Sequence, residues 1–157
     1  ELGAFIQQER GENEEHGIEL GYRYEQSAVI RHEGGAAPHW EHRNYVPTTW
    51  PGGRPPSVHL ADGSDLFDRL GPQFTLVDFS ACSGSSGSAA TSGANDLRNA
   101  AKACGLPMQY LPLDDPHARG LWERDLVLVR PDQHVAWRGN AAPVDAQALM
   151  DQVRGMV

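Results

Sequence analysis

The groups able to do chemistry in this 157-residue chain are two cysteines, seven histidines and scattered carboxylates. Cys82 has the most suggestive position. It follows the apolar run Leu76-Val77-Asp78-Phe79 and leads through a Ser/Gly-rich stretch into a helix-forming segment. A thiol near a helix N-terminus is favoured as thiolate and can serve as a peroxidatic or monothiol nucleophile. The alternative, a small half-buried apolar residue, is preferred. Cys104 falls on the apolar side of the next helix and reads as core. Asp78 sits near a strand end; buried there, its carboxyl requires hydrogen-bond donors, and a structural role is favoured. His32, His39 and His42, with Glu41, invite a metal, but a His-x-x-His step in a Pro/Gly loop fixes no ligand geometry. His59, His117 and His134 are scattered and read as surface. The run Gly84 to Gly93 is Ser/Gly-rich like a phosphate cradle but lacks the Gly-Lys-Ser/Thr ending, so a flexible loop is expected. No catalytic, cofactor-binding or metal-ligating residue is therefore assigned.

The elements that position these groups follow in order. Residues 1 to 16 are polar, with Glu9, Glu12, Glu14 and Glu15 close together; Leu2, Phe5 and Ile6 suit the end of a helix that frays alone. Ile18 to Tyr24 alternates apolar and polar and predicts a strand, and Ser27 to Ile30 a second. Prolines and paired glycines make residues 32–57 loop. Val58-His59-Leu60 reads as extended, and Asp65 to Leu70 as an amphipathic turn or two. Phe74 to Phe79 predicts a central strand covered on both faces. Ser80 to Ser92 reads as loop, and Asn95 to Cys104 as a helix stopped by Gly105. Met108 to Leu113 is a strand broken by Asp114-Asp115-Pro116, and a short helix follows. Leu126 to Val129 and Val135 to Trp137 form a hairpin around Arg130-Pro131-Asp132-Gln133-His134. Pro143 opens a last helix whose apolar stripe is Val144, Leu149 and Val153.

The order strand, helix, strand, short helix, strand, strand, helix implies a right-handed βαβ unit joined to an antiparallel hairpin. That is an α/β, thioredoxin-like sandwich over residues 73–157: a mixed four- or five-stranded sheet flanked by helices, with a loop-rich N-terminal extension. The division expected is 1–53 for the tail of a preceding domain plus linker, and 54–157 for the thioredoxin-like domain. In that frame Gly84 and Gly87 stand where a redox cysteine pair would be. Cys82 is out of register, and no proline precedes Leu126, where redox members carry a cis-proline.

Charge and composition narrow the partners. A formal net charge of −8 repels phosphate backbones, and no basic run offsets it, so no nucleic acid is expected. No apolar stretch is long enough to span a bilayer, so no membrane is expected. Two cysteines are too few for a disulfide framework, which suggests a reducing, cytoplasmic setting.

Three separated motifs resemble one family. Asp125 to Gly139 (DLVLVRPDQHVAWRG) is similar to the LVRPDxHVAWR signature of flavin-dependent aromatic hydroxylases of the phenol hydroxylase type. Glu19 to Val29 resembles their LGYRY segment. Pro51 to Pro56 with Leu60, Asp62-Gly63-Ser64, Leu66 and Phe67 resembles their PGxRxPH stretch, and Phe74-Thr75-Leu76 their FTLL. The resemblance spans residues 17–157. It implies a non-catalytic C-terminal thioredoxin-like domain, preceded by the tail of the substrate domain. The chain shows no Gly-x-Gly-x-x-Gly fingerprint, so it is expected to bind no cofactor itself and to be a C-terminal fragment beginning at Glu1. The resemblance implies FAD and NAD(P)H for the parent enzyme, and as partners its flavin and substrate domains, with a possible homo-oligomer contact. On this reading Arg130, Asp132, Trp137 and Arg138 set the hairpin turn, fill a groove and pair with acids, while Tyr22, Arg23 and Tyr24 line the boundary between the two parts of the parent.

Overall fold

The computed structural model describes residues 3, 15–82 and 88–156. The expected helix end at Leu2, Phe5 and Ile6, the acidic residues Glu9 to Glu14, and the two glycines Gly84 and Gly87 lie outside the described residues.

Four strands form one mixed sheet in the order β2-β1-β3-β4. Strand β1 is Phe74–Asp78, β2 Met108–Pro112, β3 Leu126–Val129 and β4 Val135–Gly139. The central strand runs parallel to β2, with Phe74 opposite Met108 and Asp78 opposite Pro112, and antiparallel to β3. The parallel pair is joined by the long helix Ser88–Ala103, as a parallel connection requires. β3 and β4 form the expected hairpin, where Arg130 N–H donates to His134 O (2.8 Å) and Gln133 takes the left-handed φ of 63°. The α/β thioredoxin-like arrangement expected from the sequence is the one observed.

Alternation along the strands divides the core between two faces. Leu76, Leu126 and Leu128 point to one side, where they meet Leu97 and Ala101 of the crossover helix and Leu149, Met150 and Val153 of the last helix. Val77, Val127 and Val129 point to the other, against Phe79, Leu66 and Trp122. Trp122 is fully buried, stacks edge-on with Phe79 (5.8 Å between centroids), and donates its indole N–H to Pro56 O at 3.2 Å. Burying each such side chain contributes about 1.5–3 kcal/mol, so both faces are needed to hold so short a sheet.

Several local expectations are corrected. Residues 18–24 are not a strand: His16–Gly21 is a helix, α1 in chain order. Its backbone groups satisfy one another through Ile18 N–H to Glu15 O (2.9 Å) and Glu19 N–H to Glu15 O (3.2 Å), and only Arg23 pairs in an extended bridge, with Gly53, among the described residues of this segment. Ser27 to Ile30 is a single turn, closed by Ile30 N–H to Ser27 O at 3.1 Å. The crossover helix, α2, begins at Ser88 rather than Asn95. Gly93 does not break it. A Cβ there would lie 3.1 Å from Ala142 N, so the missing side chain lets the loop before the last helix pack closely. The short helix α3, Pro116–Trp122, takes Asp115 as its cap, accepting from Ala118 N–H at 2.9 Å. The last helix, α4, is Ala146–Val153. Asp145 caps it by accepting from Ala148 N–H at 2.8 Å, which outweighs Pro143 as a start signal. Val144 is left in solvent.

The extension packs onto the domain. Gly52 N–H donates to Val135 O (2.8 Å), Val135 N–H to Gly53 O (2.9 Å), and Arg31 N–H to Ala136 O (2.9 Å), which covers the outer edge of β4. Ile30, Thr49 and Trp50 are buried against it.

Candidate functional site

The end of β1 is where this fold would place chemistry, and its two reactive-looking groups are both occupied. Asp78 is buried. One carboxylate oxygen accepts from Ser80 N–H at 2.8 Å and from the Ser80 hydroxyl; the other accepts from the Tyr110 hydroxyl at 2.8 Å. Tyr110 responds in turn: burial and the hydrogen bond to Asp78 push its phenol up to about 12, while Arg98, 4.5 Å over the ring, opposes this weakly.

Cys82 is half-buried, with Sγ 3.5 Å from Leu113 O and 3.7 Å from Asp114 Oδ1. Burial pushes its thiol above the ordinary range, and the adjacent Asp114 adds to the shift. Activation needs the opposite, a cationic neighbour that stabilises thiolate. Among the described residues the carboxyl ends of β1 and β2 thus present Asp78, Asp114 and Asp115, the last two beside the raised thiol. Cys104 is half-buried and packs against the core beneath α2, as its helical position suggests.

The second cluster is built around Arg138, on β4 and 4% exposed. Its guanidinium bridges Glu33 of the extension and Glu123 at the end of α3, donates to Thr49 Oγ1 at 3.0 Å, and lies 5.3 Å over the Trp50 ring. Thr48 Oγ1 and Thr49 N–H donate to Glu123 at 2.8 and 3.0 Å, and Arg124 adds a second cation to Glu33 at 3.1 Å. Burial alone would raise the Glu123 carboxyl. The donors from Thr49 and Thr48 and the Arg138 charge outweigh it and hold Glu123 below the usual range. Glu123 also carries a left-handed φ of 65° at the helix end, a conformation that favours glycine. A carboxylate retained at such a position matches its role as partner to both Arg138 and the extension. The sequence singled out Arg138 as a residue that pairs with acids. Which acids was not legible, because Glu33 lies 105 residues away and no periodicity links them.

His134 corrects its sequence reading: it is buried, not on the surface. The rings of Tyr22 and Tyr24 cover it at 5.2 and 4.8 Å, and its Nδ1 donates to Asp132 O at 2.9 Å. Nε2 is left without a hydrogen-bond partner among the described residues. No local signal announced this cover, which comes from a segment more than a hundred residues earlier. Asp132 pairs with Arg130 at 3.0 Å across the turn, and Trp137 is buried in the core. His59 and His117 are exposed, as are His32, His39 and His42. Among the described residues no group of three His, Cys, Asp or Glu is placed to hold a metal ion, and no helix is long and apolar enough to cross a membrane.

The outer face of the extension is apolar. Leu20, Tyr22, Trp40 and Val46 are each 42–49% exposed. The loop that carries Trp40 is held to α1 by the Trp40 indole N–H, which donates to Gly17 O at 3.0 Å. A Cβ on Gly17 would lie 1.8 Å from Glu41 O, so only glycine permits that approach.

Comparison with known proteins gives a consistent result. Residues 48–157 match the family model described as aromatic-ring hydroxylase, C-terminal. The FAD-dependent monooxygenase apdD of Emericella nidulans is 34% identical over 98% of this chain and 25% of its own length. The FAD-dependent monooxygenase opdD of Penicillium oxalicum is 36% identical over 99% of the chain and 29% of its own. Among solved structures, RebC with bound 7-carboxy-K252c superposes with a TM-score of 0.80 at 29% identity, covering 98% of this chain and 28% of that one. The chain therefore spans about a quarter of the length of the curated relatives it matches.

Proposed function

Because the chain belongs to the family of aromatic-ring hydroxylase C-terminal domains, we propose that it serves as the terminal, non-catalytic domain of a larger FAD- and NAD(P)H-dependent monooxygenase acting on an aromatic ring. On this reading residues 1–53 are the tail of the preceding domain and its linker, and 54–157 the thioredoxin-like domain. The partners are the flavin and substrate domains of the same enzyme, and the setting is cytoplasmic. The domain stabilises the parent and supplies interface area.

The observation that carries this reading is the β1 end, where Cys82 has acids for neighbours and Asp78 accepts from Ser80 and Tyr110. The same place bears on the flavin. Open α/β sheets bind phosphates at the carboxyl ends of parallel strands, and here those ends carry Asp78, Asp114 and Asp115, which repel a pyrophosphate. The described residues at this place do not fit FAD, so its binding is assigned to the rest of the parent.

Expressing the entire reading frame that carries this chain, and the 157-residue chain alone, tests the assignment. Flavin absorbance should accompany the first protein and be absent from the second. Flavin co-purifying with the 157-residue chain would contradict it.

A further inference from the structure

The extension has two faces, and among the described residues only one is packed against the chain. Its inner face, through Ile30, Thr49 and Trp50, is buried on the domain. On its outer face Leu20, Tyr22, Trp40, Tyr45 and Val46 line one shallow crevice. Beside it, sharing Leu20, Tyr45 and Arg54, opens a cavity of about 400 Å³ that reaches Pro55 and Phe67 and is rimmed by Asp65 and Asp68. Among the described residues eight large hydrophobics are exposed; six fall between Ile18 and Val46, and only Val144 and Met156 lie elsewhere. Contiguous apolar patches with a neighbouring socket mark interaction surfaces.

We propose that this outer face, centred on Leu20 and Trp40, is the docking surface for the flavin- and substrate-binding portion of the same polypeptide. The inference rests on the domain reading above and adds the surface. Three quarters of the relatives' length lies outside the region this chain matches, while nearly all of this chain, patch included, is matched. The patch also lies ahead of residue 48, where the family model begins, and is thus part of the segment joining the domain to what precedes it. A tethered partner is presented at high effective concentration. The inner face, latched by Arg138, fixes the extension so that the outer face is presented as a rigid surface.

Hydrogen exchange compared between the full-length polypeptide and the 157-residue chain tests this. Amides of α1 and of residues 39–46 should exchange about tenfold more slowly, or slower still, in the full-length protein. Leu20→Asp with Val46→Asp, which keeps the Trp40 bond to Gly17, should restore fast exchange there while FAD stays bound. The unmodified pair of proteins decides the matter even if that variant misfolds. Equal exchange in both, with FAD bound to the full-length protein, overturns the surface and leaves the domain reading standing. A full-length protein without FAD overturns the domain reading itself. Protection already present in the 157-residue chain and rising with its concentration assigns the face to a second copy and overturns the proposal.

Discussion

At the scale of single residues, Asp78 and Cys82 are both engaged by hydrogen-bond partners. Tyr110 and Asp78 are the clearest pair. Tyr110 holds its proton because ionisation would bring a phenolate against the Asp78 carboxylate in a partly buried site. A spectrophotometric titration should show one tyrosine ionising near pH 12. Its folded value is raised, so its contribution to stability is complete below the ordinary value of 10.0 and is lost as pH rises through 12. Tyr110→Phe should abolish that late step and cost about 1.5–3 kcal/mol, the size of one hydrogen bond removed from a retained, buried carboxylate. Asp78 was legible from its place near a strand end. The identity of its donors was not, since Tyr110 reaches it from a parallel neighbour whose register only the fold sets.

At the scale of elements, the Arg138 cluster joins β4, the end of α3 and the extension. Breaking a buried ion pair by removing one partner leaves the other charges uncompensated and costs about 3–5 kcal/mol. Arg138→Ala should therefore lower the denaturation midpoint markedly, whereas removal of the exposed Arg154–Asp151 pair should change it by about 1 kcal/mol or less. Glu123 gives the pH dependence. Its folded value is depressed, so its contribution is complete above the ordinary 4.5 and is lost as pH falls through the lower folded value. Melting temperature measured down an acid series should be level to about that point and then fall, and Glu123→Gln should flatten the fall. Glu123→Gly should also be less destabilised than Glu123→Ala, because glycine relieves the left-handed φ. The strands, both long helices and the hairpin were legible because each carries its own periodicity and stop signals. The segment 16–30 was not. Ile18, Leu20, Tyr22 and Tyr24 alternate with polar residues as a half-buried strand would, yet each is 42–45% exposed, so the alternation marks no buried sheet face.

At the scale of the whole molecule, the extension and the sandwich depend on one another. Residues before Arg54 supply the cover for the β4 edge through Gly52 and Gly53, two threonines and one acid to the Arg138 cluster, and the rings over His134. A chain starting at Arg54 should lose all three, expose an open strand edge, and show a lower melting temperature and a stronger tendency to aggregate than the 157-residue chain. Equal melting temperatures would show that the extension is a passenger. The family could be read from the spaced motifs in residues 19–29, 51–67 and 125–139. The packing of the first motif on the last could not, because sequence order carries no information about which surfaces meet.

The most direct test is turnover by the thiol itself. The purified 157-residue chain, and the same chain with Cys82→Ser, should be assayed for insulin reduction and peroxide consumption. Both proteins should match the blank, and alkylation of Cys82 by iodoacetamide should follow a thiol that ionises above 9.0. Turnover that disappears in the Cys82→Ser chain would place a reactive centre inside this polypeptide and contradict a purely structural domain.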